Sequence, residues 1–144
     1  MNFVLTYQWM MPPHVGSTVD VLRLATRYST KPLHLMSTLG VFLGVNYDKQ
    51  LVTEADRPED PPGLDTGYHT TKWVADMMGV LARDRGVPVS IHRIAAIVGD
   101  VRTGTAKTES YLSRQIATCA HAGAVPRTPD VIDMLPVDRL AGAI

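Results

Sequence analysis

Tyr68 and Lys72 stand four residues apart in YHTTK, a spacing that puts both side chains on one face of a helix. A tyrosine in water titrates near about 10. A neighbouring ammonium favours the phenolate, so the pairing predicts a lowered pKa for Tyr68 and a proton donor or acceptor usable near neutral pH. Spacing alone also fits a plainer reading, in which Tyr68 packs at a helix end and Lys72 is solvated. A second candidate lies upstream, where Ser37 and Thr38 close the apolar run LHLMST (33–38). A hydroxyl at the carboxyl end of a parallel strand sits where open α/β sheets bind their ligands. The five histidines His14, His34, His69, His92 and His121 show no metal-ligand spacing, so no metal is expected. Cys119 is the single cysteine, which excludes an internal disulfide and points to a reducing compartment.

The elements that must position these groups alternate in type, the pattern of an α/β chain. Residues 1–13 are apolar and are expected to stop at Pro12-Pro13. HVGSTVDVLRLATRY (14–28) places Val15, Thr18, Val21, Leu22 and Ala25 on one helical face. LHLMST reads as a buried strand. DKQLVTEADRPEDPPGLDT (48–66), with three prolines and six acidic residues, reads as a solvated surface loop. A helix begins at Gly67, with Trp73, Met77 and Leu81 expected as its core stripe and Gly86 and Pro88 as its stop. His69 is expected on another face of that helix, at the surface. VPVSIHRI (87–94) alternates as a strand, GDVRTG (99–104) is a turn, and ESYLSRQIATCAHAG (109–123) is a helix with Leu112, Ile116 and Cys119 inward. DVIDMLPVDRLAGAI (130–144) predicts a short strand and a helix start capped by Asp138.

Composition bounds the class of partner. The chain has 144 residues, 45% of them hydrophobic and 19% charged, with 14 Lys+Arg against 14 Asp+Glu. That balance excludes wholesale disorder and argues against a dedicated nucleic-acid binder, which needs surplus basic charge. No stretch reaches the ~20 apolar residues of a membrane helix. The opening residues lack a basic leader and a cleavage site, so a cytoplasmic protein is expected. So few strands cannot complete a doubly wound sheet. The chain therefore reads as residues 1–144 of a larger domain, the incomplete C-terminal part of a Rossmann-like, doubly wound parallel sheet.

Six segments in order resemble one family. MNFVLTYQWMMPPHVGSTVDVLRLA (1–25) is similar to the segment entering the family's NVxGT helix, and STLGVF (37–42) to its catalytic-hydroxyl strand. GYHTTKWVAD (67–76) resembles its GYxxSKWVAE signature, and VPVSIHRIAAIVGDVRTG (87–104) its LPVxIYRPGxIxGDSRTG. LSRQIATCAHAGAVP (112–126) and MLPVDRLAGAI (134–144) resemble the two segments that follow. Together they resemble the thioester reductase domains that end nonribosomal peptide and polyketide synthetases, and the related carboxylic acid reductases, within the extended short-chain dehydrogenase/reductase family.

The resemblance implies hydride transfer from NADPH to an acyl thioester held on the phosphopantetheine of an acyl or peptidyl carrier protein, giving an aldehyde or alcohol. Carried over by position, Tyr68 would protonate the developing oxyanion. Lys72 would bind the nicotinamide ribose and keep the Tyr68 pKa low, so Tyr68 and Lys72 also count as cofactor-binding residues. Thr38 would donate to the substrate carbonyl, with Ser37 as the second choice. The departures are specific. His14 stands for the family's Asn, Ser17 for its Gly and Ile94 for its Pro, and none of the eleven glycines forms a G-x-x-G-x-x-G or G-x-G-x-x-G turn. The cofactor's glycine-rich turn and a substrate-binding subdomain are expected outside the chain, in a larger multidomain synthetase. Two alternatives stay open: a nucleotide-sugar epimerase or dehydratase on the same scaffold, and an inactive truncated remnant.

Overall fold

A computed structural model of the chain describes residues 5–43, 51–58, 66–127 and 131–144. The chain packs as two compact units, one ending at Ile94 and the other running from Ala95 to Ile144.

In the first unit the opening helix does not stop at Pro12-Pro13. Helix α1 (Tyr7–Met11) passes through a π-turn over Pro12–Gly16 directly into α2 (Ser17–Thr26). Proline lacks the N–H that an α-helix needs and crowds the carbonyl four residues back. A single turn of i→i+5 pairing absorbs the misfit, with the Ser17 N–H donating to the Pro12 carbonyl. Thr18 and Ala25 are buried as the helical pattern predicts, whereas Val21 is 42% exposed.

Strand β1 (Leu33–Thr38) runs parallel to β2 (Val89–Ile94), in register from Leu33 opposite Val89 to Thr38 opposite Ile94. Between them lie a 3-10 turn over Leu39–Phe42 and helix α3 (Gly67–Asp84), which crosses back over the pair. Thr66 caps α3 by accepting the His69 N–H, and the chain leaves the helix through Gly86 at φ +89°. The acidic loop falls partly outside the described residues, and 51–58 contains neither helix nor strand.

The face that α3 buries differs from the expected one. Tyr68, Thr71, Ala75, Asp76, Gly79 and Val80 are buried, while Leu81 is 47% exposed and Trp73 and Met77 are half-buried. Small residues let the helix settle close to the sheet. A Cβ at Gly79 would lie 2.7 Å from Leu35 Cδ2 and 3.2 Å from Ile91 Cδ1, so the backbone itself faces β1 and β2 there. Large side chains are displaced to the flanks, where the Trp73 indole donates to the Pro58 carbonyl at 2.7 Å.

The second unit holds β3 (Ala96–Val98) paired in parallel with β4 (Met134–Pro136), together with α4 (Tyr111–Ala122) and α5 (Val137–Ala143). Gly123, at φ +63°, ends α4 as expected. No residue of α4 is buried, and Ile116 is 60% exposed, against the inward stripe predicted for it. Asp138 does not cap α5. Its Oδ1 accepts the Val101 N–H at 3.1 Å and so ties the helix to the GDVRTG turn. That turn is held by Asp100, whose carboxylate accepts from the Arg102 and Thr103 amides and the Thr103 hydroxyl. Those bonds hold its carboxyl below the usual range. Parallel strands with connecting helices make the chain α/β.

Candidate active site

Thr38 is the last residue of β1, and its φ/ψ of −143°/149° leaves the strand directly into the 3-10 turn. Its Oγ1 accepts the Gly40 N–H at 3.2 Å. Accepting with the oxygen leaves the hydroxyl proton free to point elsewhere, and the Thr38 side chain lies near enough to the Tyr68 hydroxyl to favour its ionised form. Tyr68 lies in the first turn of α3 and is only 7% exposed. One turn on, the Lys72 ammonium reaches back across the sheet and donates to the Met36 carbonyl at 2.6 Å. Helix α3 thus brings Tyr68 and Lys72 to the carboxyl end of β1, beside Thr38.

The electrostatics are not those expected from spacing. Burial pushes the Tyr68 phenol above its ordinary pKa, and Thr38 pulls only partly against this. The predicted lowering by Lys72 is not the balance found. The Lys72 ammonium is itself half-buried, engaged with a carbonyl, and lowered by desolvation, with the Asp76 carboxylate holding it partly up. Tyr68 is therefore a neutral phenol at physiological pH, able to give a proton rather than take one.

Ser37, the alternative hydroxyl, is committed elsewhere. It faces the opposite way from Thr38, as strand alternation requires, and its Oγ donates to the Asp76 Oδ2 at 2.6 Å. Asp76 is fully buried and also binds Arg93 through Nε to Oδ2 at 3.0 Å and Nη2 to Oδ1 at 2.8 Å. Ser37 and Arg93 are register partners across β1 and β2. One carboxylate from α3 therefore locks both strands beneath the Tyr68–Lys72 turn. Arg93 continues to the Asp56 carbonyl at 2.9 Å and stacks over Phe42 at 5.1 Å. Sequence reading did not single out this buried triad. Its one visible signal was Asp76 falling four residues after Lys72, extending the 68–72 stripe by a further turn.

Two histidines flank the tyrosine. The His14 ring meets Tyr68 edge-on at 5.7 Å, and the His69 ring does so at 5.4 Å. His69 is not a free surface residue. Its Nδ1 lies 3.0 Å from Thr66 Oγ1, and its ring packs where a Cβ at Gly40 would fall. Among the described residues no group of His, Cys, Asp or Glu is placed to hold a metal, and no helix is long and apolar enough to cross a membrane.

The chain is similar to known proteins along its whole length. The model of an NAD-binding family, described as Male sterility protein, matches residues 1–144. The chain is 36% identical over 144 residues to an isonitrile lipopeptide synthase of Streptomyces coeruleorubidus, covering 100% of this chain and 10% of that one. It is 30% identical over 150 residues to the aldehyde reductase lnaA of Aspergillus flavus, covering 100% of this chain and 14% of the relative. The chain thus spans only a small part of these curated relatives. The crystal structure of the terminal R domain from the myxalamid PKS-NRPS biosynthetic pathway superposes with a TM-score of 0.92 at 37% identity, over 99% of this chain and 36% of that one. A dTDP-glucose 4,6-dehydratase from Bacillus anthracis, solved with NAD, shares the fold alone, at a TM-score of 0.68 and 23% identity over 99% of this chain and 44% of that one. With its Tyr–Lys helix and strand-end hydroxyl in a Rossmann-like α/β frame, and the family model matching from end to end, the chain belongs to the NAD-binding family described as Male sterility protein.

Proposed function

We propose that the chain is the catalytic part of an NADPH-dependent reductase that converts a carrier-bound acyl thioester to an aldehyde or alcohol. The observation that carries this reading is the convergence of Tyr68 and Lys72, one helical turn apart on α3, on the strand that ends in Thr38, with the Lys72 ammonium donating to the Met36 carbonyl of that strand. NADPH, when bound, supplies the hydride. The residues present fit its nicotinamide-ribose end. Lys72 carries three N–H donors, and its bond to the Met36 carbonyl leaves two for ribose hydroxyls. The chain contains no glycine-rich turn, so it offers no matching residues for the pyrophosphate.

The roles follow from the chemistry of each group. Thr38, oriented by the Gly40 amide, donates to the thioester carbonyl oxygen and stabilises the charge that grows there. Tyr68, kept neutral by burial, delivers a proton to that oxygen. Lys72 orients the ribose and stabilises the phenolate left behind, a charge that burial alone would penalise. The site belongs to a larger multidomain synthetase whose carrier domain presents the substrate on phosphopantetheine.

Tyr68→Phe tests the reading, measured in the longest natural polypeptide containing the chain with a pantetheine thioester as substrate. Loss of the acid lowers turnover by about 10²–10⁴-fold, while NADPH binding, followed by fluorescence, stays nearly intact. Unchanged turnover would remove Tyr68 from the mechanism.

A further inference from the structure

The π-turn of the first helix delivers His14 to the Tyr68 turn of α3, with His14 Nδ1 2.7 Å from Thr71 Oγ1. The other neighbours of Thr71 Oγ1 decide which partner holds the proton. It lies 2.7 Å from the Gly67 carbonyl oxygen and 3.0 Å from that of Tyr68. Two oxygens that close need a proton between them, and a carbonyl can only accept. The single Thr71 hydroxyl proton is therefore directed at the helix backbone. What Thr71 presents to His14 is a lone pair, and the imidazole must donate from Nδ1.

We propose that His14 is a positioning residue for Tyr68: a neutral imidazole, protonated on Nδ1, that fastens to α3 through Thr71 and walls the tyrosine ring, leaving Nε2 as a free acceptor. The edge-on contact with Tyr68 at 5.7 Å supplies the wall. Burial and the positive charge of Lys72 both lower the His14 pKa, so the ring stays neutral when it donates. On α3 the titratable groups near it are Tyr68, His69 and Lys72, and the stretch Tyr7–Thr18 of its own helix contains no acidic residue. The π-turn thereby acquires a purpose, since it sets the angle at which His14 meets Thr71. The positioning role rests on the reductase reading; the tautomer and the clamp do not.

Long-range ¹H–¹⁵N correlation on the labelled 144-residue chain reads the tautomer directly. The expected result is an N–H at Nδ1 and an unprotonated Nε2 at pH 7.5, with T71V abolishing that preference. An N–H at Nε2 in the parent chain would overturn the proposal without any variant being needed. Asn and Gln then separate the two ring nitrogens, because the Asn amide nitrogen mimics Nδ1 and the Gln amide nitrogen mimics Nε2. H14N is expected to keep the Tyr68 ring shifts close to the parent, and H14Q to move them. In thioester turnover by the longest natural polypeptide containing the chain, H14Q falls below H14N by about tenfold in kcat, a modest case of misplacement, with KM unchanged. Equal behaviour of H14N and H14Q in both measurements would refute the clamp. A parent protein that turns over no thioester would count against the reductase reading alone, since the ¹⁵N tautomer still reports on His14.

Discussion

Asp76→Asn changes one buried atom type and leaves the side chain its shape, so it isolates the charge that holds β1, α3 and β2 together. The carboxylate has 0% side-chain exposure, and its partner Arg93 has 13%. Three hydrogen bonds converge on it, from Ser37 Oγ, Arg93 Nε and Arg93 Nη2. An amide keeps one acceptor oxygen, turns its NH₂ toward a guanidinium that can only donate, and leaves the arginine charge uncompensated. Removing one partner of a buried pair costs about 3–5 kcal/mol, and retention of the two bonds on Oδ2 puts Asp76→Asn near the lower end. At about 4 °C per kcal/mol for a chain of this size, the melting midpoint should fall by about 12 °C. The assay is a urea titration and thermal melt of the parent, Asp76→Asn, Arg93→Met and the double variant. Arg93→Met strands the carboxylate instead and should cost more, about 5 kcal/mol. The double variant should cost far less than the two singles combined, because neither charge is then left alone, giving a coupling of at least about 2 kcal/mol. Asp76→Asn should also take away the charge that holds the Lys72 pKa up, moving any alkaline limb of activity to lower pH. If Asp76→Asn melts within about 1 kcal/mol of the parent, or the singles simply add, the triad does not hold the site as argued.

Two further outcomes follow from local geometry and titration. Gly67→Ala should destabilise by about 1–3 kcal/mol in a melt despite the better helix propensity of alanine, because the added Cβ would collide with the backbone of Leu5–Tyr7; an increase in melting temperature would contradict that packing. His14 has a folded pKa below its unfolded value of about 6.5. Between the two values the unfolded chain binds more protons, so the stability gained by keeping His14 neutral is complete above about pH 6.5 and is lost as pH falls toward the folded pKa. Urea titrations of the parent and H14N from pH 7.5 to 5 should therefore converge on acidification, and parallel curves would place His14 in an unperturbed environment.

Where the chain stated its structure plainly, local physics was the reason. The apolar run ending in Ser37-Thr38 and the alternation of VPVSIHRI set strands that the fold retains, and the spacing of Tyr68 and Lys72 set their common face. Gly86 and Gly123 end their helices because a positive φ suits glycine. None of these needs a distant partner. The misses share the opposite cause. Pro12-Pro13 looks like a break until neighbouring helical turns make a π-turn cheaper than an ending. The buried face of α3 follows its glycine and alanine rather than Trp73 and Leu81, because closeness to the sheet is decided by what β1 and β2 bring beneath it. The raised Tyr68 pKa, the commitment of Ser37 to Asp76 and Arg93, and the meeting of His14 with Thr71 all join groups far apart in the chain. Sequence named the groups that could do chemistry, and tertiary packing decided their protonation and their partners, because desolvation and long-range pairing exist only once the chain has closed on itself.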